Sequence, residues 1–365
     1  MLQSIQALRG VAALLVLFFH THLIVSKGEY LGQTPMGGVF AVGSAGVDIF
    51  FVLSGFIIMH AHSADISRPG NLKRYLYRRW SRVYPVYWIY LTGVIALLLA
   101  GFGSFPAPLD ASYLASAYTL VRTSPEPPPL SVAWSLYHEV LFYGVFALLI
   151  LNRRLGATAF ALWGTFIAAS YLFGWSAVLQ QQQDLQGVVG SLFNLNFLLG
   201  MLACWLVERR LLSHGRLMAV IGVAILTLGA AIVLAGDAPA EIRLLFAVGS
   251  FLLLTGLVSR EYQRPVAVGR IPRLFGDASY SIYLVHTPIL SMLIKIAVAT
   301  GAARILGAQA LFMVLAGVTA TLSVLCYLLV ERPLIRVLRQ GLSGLRSRKE
   351  GGGSEAASLA SPQRE

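Results

Sequence analysis

The sequence predicts an all-α, polytopic integral membrane protein of about ten transmembrane helices, with both termini cytoplasmic. Three observations carry that expectation. Apolar residues make up 57% of the 365 residues and charged ones only 12%, where a soluble protein carries about 25% charged. The apolar residues gather into runs long enough to cross a bilayer, which takes about 20 residues at about 1.5 Å each. The 28 Lys and Arg fall in short clusters between those runs. Spread differently, a net charge of +12 would suggest nucleic acid; clustered so, it marks a cytoplasmic membrane face, and no nucleic-acid partner is expected.

Ten runs qualify as spans: 5–25, 43–61, 83–102, 133–151, 157–176, 188–207, 217–235, 241–258, 276–299 and 307–330. The first is too long for the apolar core of a signal peptide, and it lacks a basic leader and a small-x-small cleavage site. The stretch 110–122 is apolar but too short to span, so it is expected at an interface or as a re-entrant piece. With the N-terminus inside, the cytoplasmic segments hold 22 Lys and Arg. The outside loops hold four, Lys27, Arg122, Arg243 and Arg304, while Arg9 and Lys295 lie within spans. That asymmetry sets the orientation. The longest outside loop, 103–132, contains the stiff run Pro125-Glu126-Pro127-Pro128-Pro129. The chain divides into one transmembrane domain, 1–335, and a cytoplasmic tail, 336–365, first basic and then Gly- and Ser-rich, expected to be disordered. Cys204 and Cys326 both sit inside apolar runs, so neither a disulfide nor a metal site is expected.

Charged groups inside spans are costly and mark function by default. The first span carries Arg9 and His20. Eleven helical steps of about 100° return to nearly the same azimuth, and at about 1.5 Å per residue the two lie about 16 Å apart along one face. Arg9 then belongs to the inner leaflet and His20 to the outer half. The second span opens Gly46-Val47-Asp48-Ile49-Phe50-Phe51 and the fourth Trp134-Ser135-Leu136-Tyr137-His138-Glu139. Both enter from outside, so Asp48 and Glu139 fall at the depth of His20. A histidine beside a carboxylate is the minimal equipment for general base catalysis. Which of Asp48 and Glu139 touches His20 is open, and the competing structural reading is a polar network that joins helices.

On the inner side, Lys73-Arg74-Tyr75-Leu76-Tyr77-Arg78-Arg79-Trp80-Ser81-Arg82 reads as a loop with more positive charge than orientation needs. Guanidinium groups bind phosphates through paired hydrogen bonds, so Arg9, Arg78, Arg79 and Arg82 are candidates for holding a phosphorylated cytosolic donor. The competing reading is attraction to anionic membrane lipid. His286 stands just before Pro288, mid-span, and is a further possible site, with a structural role equally open. Asn194 and Asn196 read as helix–helix glue.

These residues resemble the membrane-bound acyltransferase family 3, the O-acyltransferases of cell-surface glycans and glycosides. The resemblance runs in order through Leu8-Arg9-Gly10 and His20, then Gly46 to Phe56 around Asp48, then Arg78-Arg79-Trp80-Ser81-Arg82 before Tyr84-Pro85. It continues through Trp134-Ser135-Leu136 to Glu139, Ser279-Tyr280 to His286, and Glu331-Arg332-Pro333. It implies a ten-span domain that moves an acyl group, acetyl by default, from cytosolic acyl-CoA to a hydroxyl outside. The acceptor would be a glycan, a lipid-linked sugar or a glycoside, and the setting the bacterial inner membrane. The family's Arg-x10-His motif falls on Arg9 and His20 and its Arg-x-x-Arg motif on Arg79 and Arg82; Trp134, Ser135, Tyr280 and His286 become possible site residues. Acyl-CoA would be a co-substrate, with no bound cofactor or metal. Direct transfer and an acyl-histidine intermediate both fit. A second class, a proton-coupled transporter with His20, Asp48 and Glu139 as relay groups, accounts for the outer cluster but leaves the arginine-rich segment without a role.

Overall fold

A chain surrounded by lipid must satisfy its backbone polar groups internally, and a helix does so within one segment. In the computed structural model, which describes residues 2–173, 185–236, 238–239 and 241–338, all regular structure is helical, with no strand among the described residues. The helices are α1 (Gln3–Ser26), α2 (Ala45–His62), α3 (Leu72–Leu99), α4 (Ala111–Thr119), α5 (Trp134–Leu151), α6 (Arg153–Leu172), α7 (Leu185–Gly190), α8 (Phe193–Glu208), α9 (Gly215–Ala235), α10 (Ile242–Gln263), α11 (Arg270–Asp277), α12 (Ser279–Ala299) and α13 (Ala302–Cys326). A 3₁₀ stretch, Pro35–Ser44, leads into α2, and a π-helical turn, Tyr327–Glu331, follows α13. Among the described residues nine helical stretches are long and apolar enough to cross a membrane. The protein is an all-α integral membrane protein.

The centre of the bundle is α1, which packs against the 3₁₀ stretch, α2, α10, α11, α12 and α13. Its inner faces are lined by small side chains, Gly10, Ala12 and Ala13, all buried. At the periphery lies α9, whose only buried residues are Gly215, Gly222 and Gly229, one every seven positions and so on one side of the helix. A Cβ on Gly222 would come within 2.5 Å of the Leu253 nitrogen, so α9 and α10 touch backbone to backbone. Of the rest of α9 much is exposed, including Leu217, Val220, Ile221 and Leu228, as suits a lipid-facing helix.

Two elements differ from the expectation. The arginine-rich segment is the opening of α3, which starts at Leu72, not a loop before a span at 83. Tyr75 in it is fully buried while Lys73, Arg74, Leu76 and Arg78 are exposed, an amphipathic pattern that charge alone had masked. The sixth expected span is broken: α7 ends at Gly190 and α8 begins at Phe193 with only 16 residues. The Asn194 side chain stabilises this break by donating to the Val188 and Val189 carbonyls at 2.7 and 3.1 Å. The 110–122 stretch forms the short helix α4. Its terminal carbonyls, on Ala117, Tyr118 and Thr119, accept from Tyr87, Trp88 and Tyr84 of α3, so its exposed helix end is satisfied by side chains. At the C-terminus the helix continues to Leu338. The expected disordered tail beyond that point lies outside the described residues.

Candidate active site

The inner end of the bundle gathers Arg9, Arg79 and Arg82 around two carboxylates. Pro333 has no N–H to complete the helical ladder, and the π-helical turn just before it presents Glu331, fully buried, to the N-terminus of α12. There Glu331 accepts from the Ser281 amide at 3.1 Å and the Ser281 hydroxyl at 2.7 Å. Unpaired N–H groups at a helix start favour a carboxylate. The other Glu331 oxygen pairs with Arg82 at 3.1 Å, and the Arg82 guanidinium lies over the Tyr280 ring, 5.4 Å from its centroid. Arg82 is therefore already partnered.

Arg9 and Arg79 are not partnered in that way. Arg9 donates to Ser279 at 2.8 Å and to Gln6 at 3.2 Å, both neutral. Arg79 lies 5.9 Å over the Tyr143 ring, and its buried Nε has no hydrogen-bond partner. Neither forms a salt bridge with a carboxylate among the described residues. Arg78 is exposed. Glu139 accepts from Tyr143 and, at 3.2 Å, from Ser54, within electrostatic range of Arg9 and Arg82.

Further along α1, His20 meets His286 of α12. The His20 Nδ1 lies 2.9 Å from the Val16 carbonyl and 3.2 Å from Nε2 of His286, whose own Nδ1 is 2.9 Å from the Ile282 carbonyl. One assignment of protons satisfies all three contacts. A carbonyl only accepts, so both Nδ1 atoms carry hydrogen. The His286 Nε2 then holds a lone pair that accepts from His20, and the His20 Nε2 is left as an unspent base. Tyr283, one helical turn below His286, shares a 2.6 Å hydrogen bond with Ser135.

The expected contact between His20 and a carboxylate is not made. Asp48, fully buried, is held by Arg243 at 2.8 Å and Asn196 at 3.0 Å. Glu139 faces the arginine level instead. Equal depth did not imply equal azimuth. The relay of His20, Asp48 and Glu139 that a transporter reading needs is likewise absent among the described hydrogen bonds. Trp134 packs against Phe193 and His138 rather than toward the histidine pair, and Tyr280 donates to the Val83 carbonyl at 2.9 Å. Two residues of consequence were missed. Arg243 had been counted with the outside loops, though it falls at the outer end of the expected span 241–258, and it is the second residue of α10; Glu331 was visible only as part of a motif.

An arginine level joined by one helix to a histidine level fits a donor–acceptor transferase, and comparison with known proteins decides the class. A family model described as an acyltransferase domain, acyltransferase family 3, matches residues 2–329. The chain belongs to this family. The acyltransferase is 31% identical over 317 residues to "Exopolysaccharide production protein ExoZ" of Rhizobium meliloti (strain 1021), covering 82% of this chain and 92% of that one. It is also 28% identical over 165 residues to "Protein 2 in picA locus" of Rhizobium radiobacter, covering 39% of this chain and 79% of that one. No solved structure matches the acyltransferase significantly. It is an acyl-transferring enzyme built into a membrane.

Proposed function

We propose that this acyltransferase moves an acyl group, acetyl by default, from cytosolic acyl-CoA to a hydroxyl of an exopolysaccharide or its lipid-linked precursor on the far side of the bacterial inner membrane. The observation that carries the reading is the sharing of α1. One helix presents Arg9, without a carboxylate partner, to the inner cluster and His20, with a free Nε2, to the middle of the bundle. The span between them, about 16 Å, suits a donor whose phosphates and thioester lie far apart. The positive-inside pattern supports a cytoplasmic N-terminus and hence a cytosolic donor. The ExoZ likeness supports the polysaccharide acceptor.

In this reading Arg9 and Arg79 bind the donor phosphates, with Arg82 held ready by Glu331, while Glu139 orients Tyr143 and balances the arginine charge. His20 Nε2 takes the proton of the acceptor hydroxyl as its oxygen attacks the thioester carbonyl. The tetrahedral intermediate expels the CoA thiolate, which takes the proton back from His20. His286 keeps the His20 Nδ1–H turned away from the reaction, so that Nε2 is the nitrogen that acts.

The test uses inverted membrane vesicles given radiolabelled acetyl-CoA. Ester-bound, alkali-labile label should appear on the lumenal polysaccharide. His20→Ala should cut transfer about 10²- to 10⁴-fold yet bind acyl-CoA normally. Arg9→Ala or Arg79→Ala should weaken donor binding about 10- to 150-fold, from about 1.5–3 kcal/mol for a lost charged hydrogen bond. Near-normal turnover in His20→Ala, or unchanged donor affinity in both arginine variants, overturns the assignment.

A further inference from the structure

A second cluster of metal-ligating side chains lies away from the α1 interior, where α2 and α8 end. These two helices cross at very close range. A Cβ on Gly55 would stand 2.1 Å from the Phe197 carbonyl oxygen, and one on Gly200 would stand 2.1 Å from that of Val52. So tight a crossing fixes the two backbones against each other. One turn and more beyond it, α2 carries His60 and α8 carries Cys204 and Glu208, the latter two four residues apart on one face. His60 Nδ1 lies 2.7 Å from the Glu208 carboxylate. The ligand atoms of His60, Cys204 and Glu208 all fall within 4.8 Å of one another.

We propose that His60, Cys204 and Glu208 form a binding site for a divalent transition metal, zinc by its chemistry, that ties α2 to α8 at the side of the membrane where α1 begins. Thiolate, imidazole and carboxylate together select zinc-like ions over magnesium or calcium, which take oxygen ligands. In a tetrahedral zinc site, with metal–ligand bonds of about 2.0–2.3 Å, neighbouring ligand atoms stand about 3.3–3.8 Å apart. To reach that spacing the 2.7 Å His60–Glu208 contact would open and the wider separations, none above 4.8 Å, would close. Cys204 is fully buried, whereas His60 and Glu208 are 43% and 31% exposed, so an ion enters from the solvent side and meets the thiol at the floor. Charge also balances: one divalent ion with one thiolate and one carboxylate is neutral, which suits a half-buried place. Binding displaces the thiol proton, and any proton shared between His60 and Glu208, into water. The fourth position stays open to water or a cytosolic thiol. Phe56 stacks beside the His60 ring, 5.9 Å between centroids, and helps hold its plane.

The expectation of no metal site rested on both cysteines lying inside apolar runs; the proposed site needs one cysteine only, with a histidine and a glutamate completing the set. The site does not depend on the acyl-transfer reading, and its test does not use activity. The purified full chain, stripped with a chelator, is titrated with Co²⁺ and followed by absorbance. One equivalent should bind with intense tetrahedral d–d bands and a near-ultraviolet thiolate-to-cobalt charge-transfer band, both erased by Zn²⁺. Cys204→Ser should lose the charge-transfer band, while Cys326→Ser keeps it. His60→Ala and Glu208→Gln should weaken binding by roughly tenfold or more. Folding of each variant is checked by thermal melting and by gel filtration in detergent. Absence of the charge-transfer band in the folded wild-type protein, or its persistence in Cys204→Ser, overturns the proposal.

Discussion

His286 offers the sharpest probe of how the histidine pair works. Replacing it by Phe removes the acceptor for the His20 Nδ1–H while keeping an aromatic ring in a fully buried place. The Val16 carbonyl, 2.9 Å away, remains to hold that hydrogen. The loss is therefore one neutral hydrogen bond, about 0.5–1.5 kcal/mol, and not the whole tautomer preference. At about 1.36 kcal/mol per factor of ten, kcat should fall about two- to twelvefold. The KM for acyl-CoA should stay unchanged, because His286 does not reach the arginine level. His286→Gln places a carboxamide oxygen near the former Nε2 position and should restore most of the rate. His20→Ala, in contrast, should cost about 10²- to 10⁴-fold, the range for losing a positioned base. Steady-state transfer to polysaccharide in reconstituted vesicles measures all three. Two results refute the reasoning. His286→Phe as inactive as His20→Ala makes His286 the base, and His286→Gln no better than His286→Phe removes the hydrogen bond from the mechanism.

Asp48→Asn should act on stability and not on chemistry: it strips the charge from a fully buried carboxylate bound to Arg243. Breaking a buried pair costs about 3–5 kcal/mol, and partial exposure of Arg243 lowers that to about 2–4. Thermal melting in detergent should show the loss, and Asp48→Asn combined with Arg243→Gln should recover part of it, with turnover per folded molecule near wild type throughout. Gly222→Leu should wedge α9 from α10, where a Cβ already meets the Leu253 nitrogen at 2.5 Å, and cost about 1–3 kcal/mol of overpacking; Gly144→Ala, with nothing within 4 Å, serves as the neutral control in the same melting assay.

Much of the architecture was legible because its determinants are local. Apolar length and Lys/Arg placement mark the spans, and the eleven-residue spacing put Arg9 and His20 on one face because α1 is a single unbroken helix, Gln3–Ser26. The two carboxylates misplaced beside His20 share one cause. Depth along a helix can be counted from sequence, but azimuth relative to other helices cannot. Asp48 and Glu139 were assigned the depth of His20, yet Asp48 turns toward α8 and α10, while Glu139 turns toward Ser54 of α2 and the arginines. Arg243 was counted with the outside loops although it falls at the outer end of the expected span 241–258, and only its pairing with Asp48 of α2 explains its place. His286 was kept only as a possible site, because Pro288 two residues on left a structural role equally open. That proline lies inside α12, and the histidine still finds the Ile282 carbonyl. The break between α7 and α8 depended on Asn194 reaching back to carbonyls five and six residues earlier, a contact no periodicity reveals.

The three inner arginines also differ in a way that bears on what each can do. A guanidinium in a low-dielectric interior needs a partner, and a partner already present must be displaced before an anion can take its place. Arg82 spends its charge on Glu331, and Glu331 in turn holds the start of α12, the helix that carries His286. Disturbing Arg82 would therefore loosen the histidine pair as well as the arginine level. Arg9 hydrogen-bonds only to neutral side chains, and Arg79 lies over an aromatic ring with no partner on its Nε. Their unspent donors are what an anionic ligand would satisfy. The Arg-x-x-Arg pair is thus divided by its surroundings: Arg79 keeps an unpaired Nε, while Arg82 is tied through Glu331 to the start of the helix that carries His286.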